Sequence, residues 1–524
     1  MEKNISFRIS INEVLLGMYM FIVWAIYLFV NYYTGTDTIT NFLWLLLLCA
    51  IMVFLVSRWI ISTIRKISFS HNTIITTKRK ILSFCIFFAS SFAILCLWYV
   101  AYYPGAYPTD ALNQYTQATT GNYSDWHPVW HTLLFYSLPL AVTGKVASIV
   151  LFQILYFSLV LGYMALCIYQ FANLKTAVIA LGYILLNPYT GCIAMFPWKD
   201  VGMSVTILWL MICVVKIYVT DGQWALKRGR VALTAVLLAN ATLFRHNAIL
   251  FTLPMIFALF FYLKRKKWIE LILIFFAFLF IVRVPLYSAL DVEKPGKRHL
   301  ETMGLPLTII ANVTKEYPAS LDEETAHFVY QIADQEIWEE NYDCGNFNSI
   351  KWNNNIDLSI VEETSIVDIL KMTVRCFKTA PQSSCMALFM LTDMVYSIEG
   401  EIEGDFLPRI HDNELGITSQ GNEQLRSGLL WYREIVTNTI FKYIRYIGVS
   451  ILIMLAFILS KSNLKKWNDW KRILLCIPIF LYNFGTMLLL TSYDSRFFYV
   501  SYLVCPMVVL VMIIEEDFKC KKQL

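Results

Sequence analysis

The sequence predicts an all-α polytopic membrane protein. We expect about 12 transmembrane helices, interfacial helices in the first large outer loop, and an extracytoplasmic segment of mainly α or α+β structure. Three observations carry this. The chain has 524 residues, of which 57% are hydrophobic and only 15% charged, whereas soluble domains run nearer 45–50% apolar and about 25% charged. Apolar runs of about 20 residues, enough to cross about 30 Å of hydrocarbon, recur along its length. Lys and Arg gather in a few short loops, while Asp and Glu gather in one long segment. This composition argues against a cytosolic enzyme, a disordered chain or a small disulfide scaffold. The twelve cysteines include no C-x-x-C pair, which removes zinc-ribbon and thioredoxin readings.

The apolar runs lie near 12–33, 40–61, 81–103, 146–170, 174–194, 200–219, 268–288, 438–460, 471–491 and 497–514. The run 229–263 is too long for one crossing and contains Arg245-His246-Asn247, so we read it as two short helices meeting at that triplet. The first run lacks a small-residue cleavage site and is followed by more spans, which makes it an anchor.

Orientation follows from the basic loops. Arg58, Arg65, Lys66, Lys78, Arg79 and Lys80 share one loop. Lys227, Arg228 and Arg230 form a second cluster, Lys264 to Lys267 a third, and Lys465, Lys466, Lys471 and Arg472 a fourth. All four belong in the cytoplasm. That holds only if 128–143 lies along the outer surface as an interfacial helix and 229–263 counts twice. Both termini are then cytoplasmic, in the cell membrane.

Four regions result. Residues 1–80 hold two helices and a basic loop, and 81–288 form a membrane core with outer loop 104–145. Residues 289–437 are extracytoplasmic, and 438–524 hold the last helices and a short cytoplasmic tail. Segment 289–437 has 25 Asp/Glu against 11 Lys/Arg, and the rest has 13 against 32. Its Cys344, Cys376 and Cys385 could form one disulfide in an oxidising exterior, an odd set that leaves the pairing open.

Candidate chemistry sits in the outer loop and at span ends. Between Ile81 and Gly144 there is no Lys or Arg. After Pro104, Gly105 and Pro108, Asp110 either caps a helix beginning at Ala111 or serves as a carboxylate in a partly dry cleft. With no cation near it in sequence, burial would raise its pKa toward working pH and suit it to proton transfer. Asp125, His127 and His131 imitate a metal-ligand spacing, but Pro128 takes His127 off the helical face. The alternative is the wet face of an interfacial helix. Asp125, His127 and Gln114 are candidates for a second acid or an acceptor site.

Three polar clusters mark outer span ends: Trp198-Lys199-Asp200, Arg245-His246-Asn247, and Ser492 to Arg496. Mid-bilayer charges cost about 2.5–3.5 kcal/mol, and a span end avoids most of this. Lys199 with Asp200, or Asp494 with Arg496, could be local pairs. Taken together, Lys199, Arg245 and Arg496 suit a phosphate, since Arg offers a bidentate fork and Lys a point charge. Asp200, His246, Asn247 and Asp494 would support them. There is no Walker A loop, G-x-G-x-x-G, H-E-x-x-H or G-x-S-x-G. A pre-activated, lipid-linked donor is therefore expected in place of a nucleotide, and nothing suggests nucleic acid.

The pattern Pro104-Gly-Ala-Tyr-Pro-Thr-Asp110, then His127-Pro128-Val-Trp-His131-Thr132-Leu-Leu, then Ser495-Arg496-Phe497-Phe498-Tyr499 through Pro506 resembles the GT-C glycosyltransferase superfamily, especially members of the family-39 type. The likeness covers about 81–290 and 438–514. It implies a multi-spanning enzyme using a polyprenyl-phosphate sugar and an envelope glycan, glycolipid or protein acceptor. Asp110 would be the general base, Lys199, Arg245 and Arg496 would hold the phosphate, and His246 and Asp200 would make supporting or sugar contacts. Relatives often carry a paired acidic motif in the first outer loop. Here Ala111 and Leu112 follow Asp110 and the next acid is Asp125, which argues against a divalent metal, and no cofactor is assigned. The competing readings are a multi-pass secondary transporter, with Arg245 in a broken helix, and a non-glycosyl envelope transfer or assembly factor.

Overall fold

The computed structural model describes residues 9–32, 39–67, 75–296, 299–353, 356–398 and 407–514. The expected cytoplasmic tail beyond 514 and residues 1–8 lie outside the described residues. Among the described residues the protein is helical and contains no strand, only isolated bridges.

Seven helices are long and apolar enough to cross a membrane: Ile11–Asn31, Thr40–Lys66, Thr77–Ala101, Ala147–Phe171, Lys199–Val219, Arg265–Ala289 and Ser495–Ile513. Several present their apolar surface outward. Leu43, Trp44, Leu48, Met52, Leu55 and Trp59 are all exposed on one helix, an area far too apolar to face water. Lys199–Val219, by contrast, is buried along almost its whole length. It is the central post, packed against Ala147–Phe171, Arg230–Phe244 and Tyr499–Ile513.

The remaining apolar runs are divided by local chemistry. Asn187 accepts from the Tyr189 N–H at 3.0 Å and Pro188 follows it, so the run 174–194 becomes Leu174–Leu185 and Pro188–Ile193. Such a cap and proline start a new helix rather than continue the old one. The run 229–263 is Arg230–Phe244, a turn at His246–Ala248, and Ile249–Leu259. Arg245 takes an extended conformation there. The run 471–491 is broken into Trp467–Leu474 and Ile477–Met487, with Pro478 in the first turn of the second.

Helix ends meet at two opposite poles. At one pole the Asn12 amide donates to the Leu459 and Ser462 carbonyls at 2.6 and 2.8 Å. The Lys461 ammonium donates to the Ile67 carbonyl at 2.6 Å, and Arg472 pairs with Asp469 and reaches the Met512 carbonyl. The basic loops cluster here: Arg79 lies over Tyr169 and Arg230 over Trp224. At the other pole, Tyr107 donates to the Val146 carbonyl, Ala106 N–H to Met195, and Asn247 to Thr486. Successive apolar helices therefore alternate in direction.

Segment 289–437 folds on its own apolar core of Trp338, Tyr342, Phe328, Ile310, Ile350 and Ile369. Its regular structure where described is helical, including Gly304–Glu316, Glu323–Ile332, Ile366–Thr379 and Pro381–Tyr396, and no strand occurs among its described residues. It docks on the second pole, where the Phe347 N–H donates to the Thr491 carbonyl at 2.8 Å and Asn348 to Ser492 at 3.0 Å.

No disulfide links Cys344, Cys376 and Cys385, which are all free. Cys376 is packed in the segment's core. Alkylation of protein denatured without reductant should modify all three thiols. Recovery of a linked peptide pair by mass spectrometry would contradict the arrangement.

Candidate active site

The loop that carries Asp110 is held from three sides. Gly105 has φ +125°, and a Cβ there would meet Val150 Cγ2 at 2.4 Å, so only glycine lets the chain turn so close to its neighbour. A strap from segment 289–437 crosses the loop. The Tyr107 N–H donates to the Arg409 carbonyl at 3.0 Å and His411 N–H returns to Tyr107 at 3.0 Å. Further along, Gln420 N–H donates to Tyr103 and Asn422 N–H to Val100. Thr109 Oγ1 and His411 Nδ1 lie 3.1 Å apart. Beyond this clamp the helix Thr109–Thr120 begins, with Pro108 in the cap position and no side-chain cap bond. Asp110 is therefore in the first turn and does not act as the N-cap, because Pro108 ends the extended approach two residues earlier than the expected start at Ala111.

Asp110 lines a cavity of about 290 Å³ at the second pole. Lys199, Arg245, His246, Asn247, Asp494, Arg496 and His127 line the same cavity. Residues that the sequence scatters over nearly four hundred positions are thus brought together.

Their pairing differs from the local pairs that adjacency suggests. Arg245 is ion-paired with buried Asp200, donates through Nε to Asn247 at 2.6 Å, and lies over the Phe497 ring at 4.1 Å. Asp200 is thus matched by Arg245, because Lys199 and Asp200 leave the helix start about 100° apart. Arg496 pairs with Asp494 at 2.7 Å and more loosely with Asp110 at 3.5 Å, with its guanidinium 4.6 Å from the centre of the Trp198 ring. Lys199 lies 3.0 Å from His127 Nδ1 and forms no ion pair among the described residues.

Asp110 has no cation near it in sequence, but Arg496 lies beside it in the fold, and its acidity moves opposite to the expectation. Burial pushes its carboxyl up, but Arg496, Lys199 and His127 together outweigh this and hold the pKa at about 2. For Asp494 burial wins over Arg496 and the pKa is raised. The two carboxylates on one guanidinium are therefore shifted in opposite directions, Asp110 toward its ionised form. Because the folded carboxyl titrates below its ordinary 3.8, its pairing favours the folded state at neutral pH. That contribution fades as pH falls from 3.8 to about 2.

Three candidates sit elsewhere. Gln114 is buried, donating to Thr132 Oγ1 at 2.9 Å and lying 3.1 Å from His131 Nδ1, so it orders the helix beneath the cavity. Asp125 does not line the cavity. It accepts from the Tyr287 hydroxyl at 3.2 Å and lies 3.9 Å from His246, which in turn contacts Arg283 at 3.0 Å. His131 is fully buried and stacked on Phe135. Asp125, His127 and His131 thus face different partners, and among the described residues no three potential ligands converge. The spacing does not build a metal site.

The remaining wall of the cavity carries no mark in the sequence. Glu301, Asn348, Lys351 and Trp352 from the docked segment complete it, with Lys351 ion-paired to Glu301. Nothing in a strongly acidic stretch marks these positions beforehand.

Replacing Arg496 with Gln should lift the Asp110 carboxyl toward or above its ordinary value, since the opposing burial is then less compensated. Carbodiimide labelling at about pH 5, which requires the protonated acid, should tag Asp110 roughly a hundredfold more in Arg496→Gln than in the wild type. Equal labelling, read by peptide mass spectrometry, would show that Arg496 does not set its charge.

No family model, curated protein or solved structure matches this chain.

Proposed function

We propose that the protein is a membrane glycosyltransferase that moves a sugar from a polyprenyl-phosphate donor to a cell-envelope acceptor on the extracytoplasmic side. The observation that carries this reading is one cavity holding an ionised carboxylate, Asp110, beside Lys199, Arg245 and Arg496. The cavity lies at the pole opposite the basic loops.

The topology behind it has about 12 crossings. Seven long helices account for part of that number. The rest comes from Leu174–Leu185, Arg230–Phe244, His246–Leu259 and Ile447–Lys461, which are shorter and apolar, together with Ile477–Met487. The Lys/Arg-rich pole is cytoplasmic by the positive-inside rule. Both termini are then cytoplasmic, Val129–Thr143 is interfacial and 289–437 is extracytoplasmic. A cysteine placed at Trp352 should react with an impermeant maleimide in intact cells, and one at Lys227 only after permeabilisation. The reverse pattern would invert the topology.

In the reaction the acceptor hydroxyl oxygen bonds to the anomeric carbon. The carbon–oxygen bond to the lipid phosphate breaks, and its electron pair leaves with the phosphate. Asp110 takes the hydroxyl proton. Lys199 and Arg496 face the phosphate oxygens as they gain charge, while Arg245, committed to Asp200, shapes the wall. A carboxylate held at about pKa 2 is always ionised but weakly basic. Donor binding answers this, because a phosphate that engages Arg496 and Lys199 weakens the field on Asp110 and raises its basicity in the loaded site. Product phosphate and proton then leave together. The acid limb of kcat should accordingly lie at higher pH than that of kcat/KM.

A transporter would place its ionisable groups near the membrane midplane on broken helices. The cluster here lies at helix ends, which favours the transferase. Asp110→Asn should lower transfer by about 10²–10⁴ while leaving folding intact, as expected for loss of a general base. Arg496→Ala should chiefly raise the donor KM. Full transfer by Asp110→Asn, measured on a labelled lipid-linked sugar, would remove the mechanism.

A further inference from the structure

We propose that the wall contributed by the docked segment is a subsite for the acceptor, and that the acceptor is a neutral carbohydrate. This rests on the transferase reading above. The cavity has two unlike sides. Arg245 and Arg496 come from the membrane helices and lie deep, each against aromatic rings. The outer side carries Trp126, Trp352, Glu301, Asn348 and Lys351.

Three features of this side fit a sugar ring. First, Trp126 is 46% and Trp352 70% exposed, and both border the polar cavity. A flat indole with one open face binds the axial C–H face of a pyranose, an apolar surface bordered by hydroxyls. Second, hydrogen-bonding groups stand beside the indoles. The Asn348 amide donates to Ser492 at 3.0 Å, while its Oδ1 is buried without a partner and remains an acceptor. Glu301 and Lys351 add a carboxylate and an ammonium, and the Lys351 ammonium also lies 4.8 Å from the Trp352 ring centre. Third, this wall is electrically balanced, since the cation is neutralised by its own carboxylate.

The surroundings separate acceptor classes. The segment carries 25 Asp/Glu against 11 Lys/Arg, so its field repels a polyanion such as a phosphate-linked polymer before it reaches the cavity. An extended peptide would need an open strand edge or a long groove. The described residues here contain no strand. A neutral glycan meets neither obstacle, and it would present a hydroxyl between the indoles and Asp110.

The test uses the full chain in nanodiscs and envelope material from cells lacking the gene, in which unmodified acceptor remains. That material is separated into a neutral polysaccharide fraction, a polyanionic fraction and a protein fraction. Binding is read from tryptophan fluorescence. The neutral fraction should give saturable binding to the wild type. Binding should weaken roughly tenfold in Trp352→Ala, the scale of one lost aromatic contact, and be largely retained in Trp352→Phe. Trp352 is mostly exposed, so its replacement leaves the core intact.

Preference for the polyanionic or protein fraction, or neutral binding unchanged in Trp352→Ala, would overturn the proposal. The two readings fail separately. Trp352-dependent glycan binding with transfer unaffected by Asp110→Asn keeps the subsite and sinks the proposed catalysis. Asp110-dependent transfer without Trp352-dependent binding does the reverse.

Discussion

Arg496 is the joint on which the site depends. Its guanidinium lies between Asp494 at 2.7 Å and Asp110 at 3.5 Å, above the Trp198 ring. The pair with Asp110 spans 386 residues of sequence, so one side chain ties the loop after Thr77–Ala101 to the start of the last helix. A charge with little exposure at a helix end persists only if paired and hydrogen-bonded. The shorter bond to Asp494 secures Arg496, and the longer one to Asp110 leaves that carboxylate 38% exposed. One cation thus carries a tight, little-exposed pair and a looser, more exposed one.

The fold supplies what such a cluster requires. Lys199–Val219 is buried along nearly all its length, which fixes the height of Lys199 and Asp200. The kink at Arg245 turns a would-be continuous helix into two and delivers the guanidinium to Asp200. The strap from Arg409 to Asn422 clamps the Asp110 loop through backbone bonds, a rigid support of the kind that positioned side chains need. The segment 289–437 both holds that loop and closes the cavity.

What was legible in the sequence was what depends on local runs. Apolar length and the distribution of Lys and Arg gave the helices and their alternating directions. Arg245-His246-Asn247 inside 229–263 marked the break, because three polar residues in such a run cannot continue a lipid-facing helix. The residues that line the cavity could be nominated from their positions at span ends. Their partners could not. Asp110 has no basic neighbour for dozens of residues on either side, so its depressed acidity was invisible until Arg496 was placed beside it. Adjacency suggested Lys199 with Asp200, whereas helical geometry turns Asp200 toward Arg245. Gln114 looked like a polar candidate because burial is not written in a single glutamine. Lys351, Glu301 and Trp352 were hidden for a different reason: docking of one folded segment on another depends on surfaces that have no sequence signature.

The central claim is that a lipid-borne phosphate sits among these cations at the pole away from the basic loops. An experimental map of the protein with bound polyprenyl phosphate tests it most directly. The account expects the phosphorus within hydrogen-bonding reach of Arg496 and Lys199, with Asp110 facing the position a sugar carbon would take. Phosphate density at the Lys/Arg-rich pole, or a cavity still empty at saturating lipid, would contradict it.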